Sequence, residues 1–167
     1  MKVNAAYRER LRHHITEVRQ RIADAAARAG RNPAGITLVA VSKTRSAEEC
    51  AAAVELGLGI LGENRVQEAR EKIPQVAEFL SQNEVNQPEW HLVGHLQSNK
   101  AGRAVAMFGV IQSLDDYNLA LDINRYAQAV GKVQSCLLEV NTSGEASKFG
   151  VNPAHLTELW EKTSLLS

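Results

Sequence analysis

Cysteine is scarce in this chain, neither charge sign predominates, and no long apolar run is present. The two cysteines, Cys50 and Cys136, stand far apart and without metal-ligand spacing. That excludes a disulfide framework and fits a reducing compartment. Lys plus Arg and Asp plus Glu both number 19, so no excess charge points to nucleic acid or an anionic membrane surface. No apolar stretch approaches the ~18 residues of a membrane-spanning helix. Met1 to Arg10 carries charge where a secretory leader would be apolar, so a cytoplasmic protein is expected. A glycine-rich phosphate loop is missing after the first predicted strand, which argues against a doubly wound nucleotide-binding sheet.

The length, 167 residues, suits one domain with a substantial core. Leu11, Ile15, Val18 and Ile22 fall on one stripe and predict a helix over residues 5–29, ended by Gly30 and Asn32-Pro33. Its arginines (Arg8, Arg10, Arg12, Arg19, Arg21) are interrupted by Glu9, Glu17 and Asp24, which reads as a solvated face. Ile36-Thr-Leu-Val-Ala-Val-Ser-Lys43 follows, an apolar strand that ends on an ammonium group. Ser46-Ala-Glu-Glu49 is a capping box that opens a second helix, stopped at Gly57. Further strands are predicted at 59–61, 90–94, 110–113 and 133–140. Helices are predicted between them, one ending before Pro74, one capped by Ser98, and one opened by Asp115 or Asp116. Residues 74–88 read as irregular apart from a short helix over 76–80, and Pro153 opens a last helix.

Strand and helix alternate five times at intervals that suit βα units, so the sheet should be parallel. Polar residues stand at the end of each strand (Lys43, Asn64, His95, Ser113 and Asn141), the distribution expected around the mouth of a barrel. Five units are five-eighths of a (β/α)₈ barrel, which rarely has fewer than ~200 residues.

Lys43 is the candidate covalent centre, because an amine at the C-terminal end of a buried strand, partly desolvated, can attack a carbonyl. Asn64, after Gly62-Glu63, offers a donor and an acceptor at the same mouth, or else an ordinary N-cap. His91 and His95 have helical spacing inside a strand-and-turn pattern, and no carboxylate or cysteine completes a metal set. Gln97-Ser-Asn-Lys100 and Thr142-Ser-Gly-Glu-Ala-Ser-Lys148 are polar segments beside the mouth, open to simple capping and loop roles.

Four segments taken together, Leu38-Val-Ala-Val-Ser-Lys-Thr44, Gly62-Glu-Asn-Arg-Val-Gln-Glu-Ala69, Trp90-His-Leu-Val-Gly-His-Leu-Gln-Ser-Asn-Lys100 and Val140-Asn-Thr-Ser-Gly-Glu-Ala-Ser-Lys148, resemble the pyridoxal-phosphate homeostasis proteins, the YggS/PROSC-like family. The resemblance implies a single-domain barrel similar to the N-terminal domain of alanine racemase. Residues 1–167 would form part of it, about five of eight βα units. It implies that Lys43 carries pyridoxal 5′-phosphate as a Schiff base, with Asn64 and His91 near the ring. It also implies a non-catalytic role in vitamin B6 and amino-acid homeostasis, with a small-molecule partner and pyridoxal-phosphate-dependent enzymes as recipients. Family members continue with further strands and a Ser- and Gly-rich phosphate segment, so a C-terminally truncated chain is expected. Three other readings stand beside this one: an amino-acid racemase, a Schiff-base aldolase, and a non-functional remnant. Racemisation needs proton donors on both faces of the substrate, and Tyr7, Tyr117 and Tyr126 all fall on predicted outer helices.

Overall fold

In the computed structural model, which describes residues 3–166, helices α1 (Ala5–Arg28), α2 (Ala47–Glu55), α3 (Val66–Ser81), α4 (Ala101–Met107), α5 (Tyr117–Ala129) and α6 (Leu156–Thr163) alternate with strands β1 (Ala40–Val41), β2 (Ile60–Glu63), β3 (Glu89–Leu92), β4 (Val110–Leu114) and β5 (Ser135–Leu138). The strands pair only in parallel, in the order β1-β2-β3-β4-β5. Each βα unit adds its strand beside the last, which is how a barrel is wound. A doubly wound sheet reverses its order partway. The described sheet is open, with β1 and β5 as its edges.

Side-chain caps fix the starts of α1, α2 and α5. Ser46 and Glu49 close the expected box on α2, and Asp116 accepts from the amides of Asn118 and Leu119 at the start of α5. Gly57 and Gly131 take φ of 91° and 64° just past α2 and α5, where a side chain would be strained. Two of the α1 arginines do more than face water. Arg8 pairs with Glu55, and Arg19 donates to the carbonyl of Gly57, so both dock α1 on the C-terminal end of α2. Ile15 packs beside Ala53 and Leu58 in the same seam.

Three sequence expectations need correction. Helix α3 does not stop before Pro74 but runs through it to Ser81. The ring costs the helix a hydrogen bond, roughly 3 kcal/mol. Ala69, Val76 and Leu80 are nevertheless fully buried on one stripe, with Ile73 packed against the core, and each buried Val or Leu gains about 1.5–3 kcal/mol. Packing outweighs the proline. Ser98 caps nothing: a short 3₁₀ turn over Ser98–Lys100 leads into α4 without a side-chain cap. The first strand is far shorter than 36–43. An edge strand is defined only by its one partner, and β2 pairs with it at Ala40 and Val41 alone.

The core lies between the sheet and its helices. Leu61, Leu92 and Ile111 point from successive strands toward α2, α3 and α4, where they meet Val54, Val76, Leu80, Val105 and Phe108. The opposite face carries Val41 and Leu137, both more than half exposed (51% and 53%).

Candidate functional site

Alternation along the strands sorts the residues around Lys43 onto two faces. Val41, Gly62 and His91 stand in one row across β1, β2 and β3. A side chain on Gly62 would meet Val39, Val41 and Val93 at 3.2–3.4 Å, which places this row on the open face. Two residues further along come Lys43, Asn64 and Val93. Lys43 and Asn64 therefore follow just past the ends of β1 and β2, beyond the row that holds His91.

The side chain of Lys43 is exposed and that of Asn64 half-buried, and neither makes a hydrogen bond or ion pair among the described residues. The partial desolvation expected for Lys43 is not found in the open sheet. His91 is 6% exposed; its Nδ1 lies 2.9 Å from Gln112 Nε2, and its Nε2 faces Glu89 at 3.4 Å without a hydrogen bond. With the Gln112 amide donating to Nδ1, the imidazole proton sits on Nε2. His91 thus forms a polar floor below the level of Lys43.

Asn64 is seated by backbone contact. A Cβ on Gly94 would lie 2.3 Å from the Asn64 carbonyl oxygen, so the chains cross there with no room for a methyl group. Gly94→Ala is expected to destabilise the fold by about 1–3 kcal/mol through overpacking. Urea denaturation monitored by circular dichroism checks this; an unchanged midpoint would contradict it.

The remaining mouth residues divide. Ser113 is fully buried, so it is not exposed at the mouth. It falls where the β4–β5 register shifts, between Ile111 and Leu114, both of which pack in the core. His95 stacks on Phe149 with ring centroids 3.8 Å apart, and its Nδ1 lies 3.7 Å from Asp115. His91 and His95 therefore diverge. Asn141 clamps its own loop, donating to the carbonyls of Glu145 and Lys148 and accepting from Gly144. Burial beside Asp115 pushes the Glu139 carboxyl above its usual range.

Sequence reasoning missed what lies behind Lys43. Lys72 of α3 is 6% exposed, and its ammonium donates to Glu63 Oε1 at 2.6 Å, Glu68 Oε1 at 2.8 Å and the Ser42 carbonyl at 2.8 Å. Glu63 is fully buried; Oε1 also accepts from Ser42 Oγ at 2.7 Å, and Oε2 has no partner. Glu68 Oε1 accepts in addition from the Thr44 amide at 2.6 Å. Burial alone would pull the Lys72 pKa down, but the bonds to Glu63 and Glu68 reverse this and hold it above its ordinary value. The Lys72 ammonium likewise holds the Glu68 carboxyl below the usual range. Cys50 lies in the same pocket, and burial raises its thiol pKa. Thr44 takes φ of 64°, a strained setting for a β-branched residue that costs about 1–3 kcal/mol. The Glu68–Lys72 spacing of four residues was the one visible signal of this network.

A parallel βα sheet wound in barrel order, with a free lysine at the C-terminal end of its first strand, defines a class of barrel-type domain whose ligands approach those strand ends. The model of the alanine racemase N-terminal domain matches residues 8–167, and the chain belongs to that family. The pyridoxal phosphate homeostasis protein of Escherichia coli K12 is 39% identical over 147 residues, covering 88% of this chain and 61% of that protein. Its namesake in Aquifex aeolicus is 38% identical over 149 residues, covering 89% and 62%. The chain thus spans about three-fifths of the length of these relatives. Among solved structures, an unknown protein from Bifidobacterium adolescentis superposes with a TM-score of 0.90 at 36% identity, covering 98% of this chain and 68% of that one. PipY of Synechococcus elongatus with pyridoxal phosphate bound gives 0.69 at 36% identity, covering 87% and 65%.

Proposed function

We propose that this chain is the lysine-bearing part of a pyridoxal 5′-phosphate-binding protein that serves intracellular vitamin B6 and amino-acid homeostasis without catalysing a reaction of its own. Lys43 carries the reading: an exposed amine without a partner, next to the free amide of Asn64 and above the buried His91. Those groups fit an aromatic aldehyde, with Lys43 as the covalent anchor, Asn64 as a donor at the ring's level and His91 as the floor. When bound, the cofactor supplies an aldehyde carbon and an electron-poor ring. The chain's part is to hold it in place. The shared family with PipY, whose structure holds pyridoxal phosphate, supports the same assignment. Recipients of the cofactor would be pyridoxal-phosphate-dependent enzymes, and the setting cytoplasmic; no helix among the described residues is long and apolar enough to cross a membrane.

The non-catalytic reading is supported by the tyrosines, none of which, among the described residues, lies on a strand end beside Lys43. Tyr7 lies on α1, in the groove lined by Glu49 and Cys50, and Tyr117 and Tyr126 lie on α5. Adding pyridoxal 5′-phosphate should give a visible absorbance band that borohydride abolishes, with no α-proton exchange from L-alanine. A colourless mixture would overturn the binding role. Exchange in the ordinary enzymatic range of about 1 to 10³ per second would make the protein a racemase instead.

A further inference from the structure

We infer that Lys72 and Glu68 are positioning residues for Lys43: they fix the backbone on both sides of it and so aim its amine at the open face of the sheet. The inference rests on the proposed role of Lys43 and deepens it.

The constraint on Lys43 is geometric. Peptide groups are planar, so the direction of a side chain from the backbone depends on the two torsions flanking its Cα. For Lys43 those torsions join the peptide plane that carries the Ser42 carbonyl to the plane that carries the Thr44 amide. The Ser42 carbonyl accepts from Lys72 Nζ at 2.8 Å and from the Arg45 amide at 3.0 Å. The Thr44 amide donates to Glu68 Oε1 at 2.6 Å, and that same oxygen accepts from Lys72 at 2.8 Å. One ammonium group therefore ties down both planes, directly on one side and through Glu68 on the other. Its third bond, to Glu63, roots it in a carboxylate that is fully buried in β2.

The setting suits a fixed anchor. Both bonds to the loop involve a charged partner, the stronger kind of hydrogen bond. Thr44 is held at a positive φ that a β-branched residue would otherwise leave. Ser42 turns inward to Glu63, and Lys43 follows it as the second residue of the turn that the Arg45 amide closes on the Ser42 carbonyl. Lys43 itself has no partner among the described residues, so its own side chain contributes nothing to this aim. Lys72 and Glu63 are buried and Ser42 turns to Glu63, so these side chains pack between the sheet and α3.

In the step concerned, Lys43 Nζ adds to the aldehyde carbon. The aldehyde oxygen leaves as water with the two amine hydrogens, and no electrons are gained or lost overall. Orientation governs how often that addition succeeds.

The test uses the 167-residue chain with pyridoxal 5′-phosphate as probe, and follows the rate of borohydride-fixed labelling at Lys43 by mass spectrometry. Glu68 is partly exposed (28% of its side chain), and Glu68→Ala leaves Lys72 its bonds to Glu63 and Ser42, so the fold should persist. That variant should label Lys43 more slowly by about ten- to a hundredfold, the scale on which lost orientation acts. Its Thr44 amide should also exchange hydrogen faster. Glu68→Gln keeps an acceptor oxygen and should recover to within about threefold of the parent. A merely structural brace would lower the denaturation midpoint of Glu68→Ala and leave its labelling rate at the parental value; that result overturns the inference while the role of Lys43 stands. Slow labelling with unchanged Thr44 exchange, or no recovery in Glu68→Gln, overturns it as well. If Lys43→Ala is labelled elsewhere at the parental rate, the proposed function itself fails.

Discussion

Lys72→Met is expected to lower the free energy of unfolding by about 3–5 kcal/mol, because it leaves the fully buried Glu63 without its counter-ion. Whole domains are stable by about 5–15 kcal/mol, so this one change would bring the chain close to unfolding. Only Ser42 Oγ would remain to satisfy Glu63, whose Oε2 already has no partner. The double variant Lys72→Met with Glu63→Leu should recover most of the loss, since an apolar pair of similar volume substitutes for a buried ion pair at little cost. Urea denaturation of the single and double variants checks both statements; a single variant as stable as the parent would contradict them.

The same network sets a pH window. Glu68 is depressed in the fold, so its contribution is present above the ordinary glutamate value of about 4.3 and is lost as pH falls through its folded value. Lys72 is raised, so its contribution is present below the ordinary lysine value of about 10.4 and is lost as pH rises through its folded value. Glu139, whose pKa is raised, works in the opposite direction at the acid end. The difference between parent and Lys72→Met therefore isolates the network: greatest between those limits and shrinking beyond either.

Lys43→Ala should leave stability within about 0.5 kcal/mol of the parent, as expected for an exposed side chain without partners. Its effect falls on chemistry instead. Without that amine the visible band formed with pyridoxal 5′-phosphate should disappear, because among the described residues no other lysine closely follows a strand of the sheet. Lys72 is held by three bonds behind the sheet, and the Lys132 ammonium donates to the carbonyls of Val105 and Phe108. Lys43→Arg keeps the charge but not the free amine, and should fail equally. Absorbance before and after borohydride separates the outcomes, and a mutant that stays yellow and reducible would contradict the assignment.

Much of this was legible in the sequence because it is local. The alternation of βα units, the Ser46 box, the Asp116 cap and the Gly57 stop each depend on a few neighbouring residues. The sheet order follows from short βα connections that keep successive strands adjacent. What escaped depends on contacts across the fold. Pro74 reads as a helix end until the stripe of Ala69, Val76 and Leu80 is seen to pack against the core. Ser113 looks like a mouth residue until its burial at the register shift of β4 is seen. Lys72 looks like a solvated helical lysine, and only the turn between β2 and α3 brings it under Ser42 and Glu63. The residue levels of the site were likewise invisible. Lys43 and Asn64 follow just past the ends of adjacent strands, whereas the register places His91 within β3, in the row of Val41 and Gly62.

The most direct test of the central claim is to mix the chain with pyridoxal 5′-phosphate, reduce with borohydride, digest, and locate the added phosphopyridoxyl mass. A single modified site is expected, Lys43, in the peptide that begins after Arg31. Modification spread over Lys100, Lys148 and Lys162, or absent from Lys43, would contradict it.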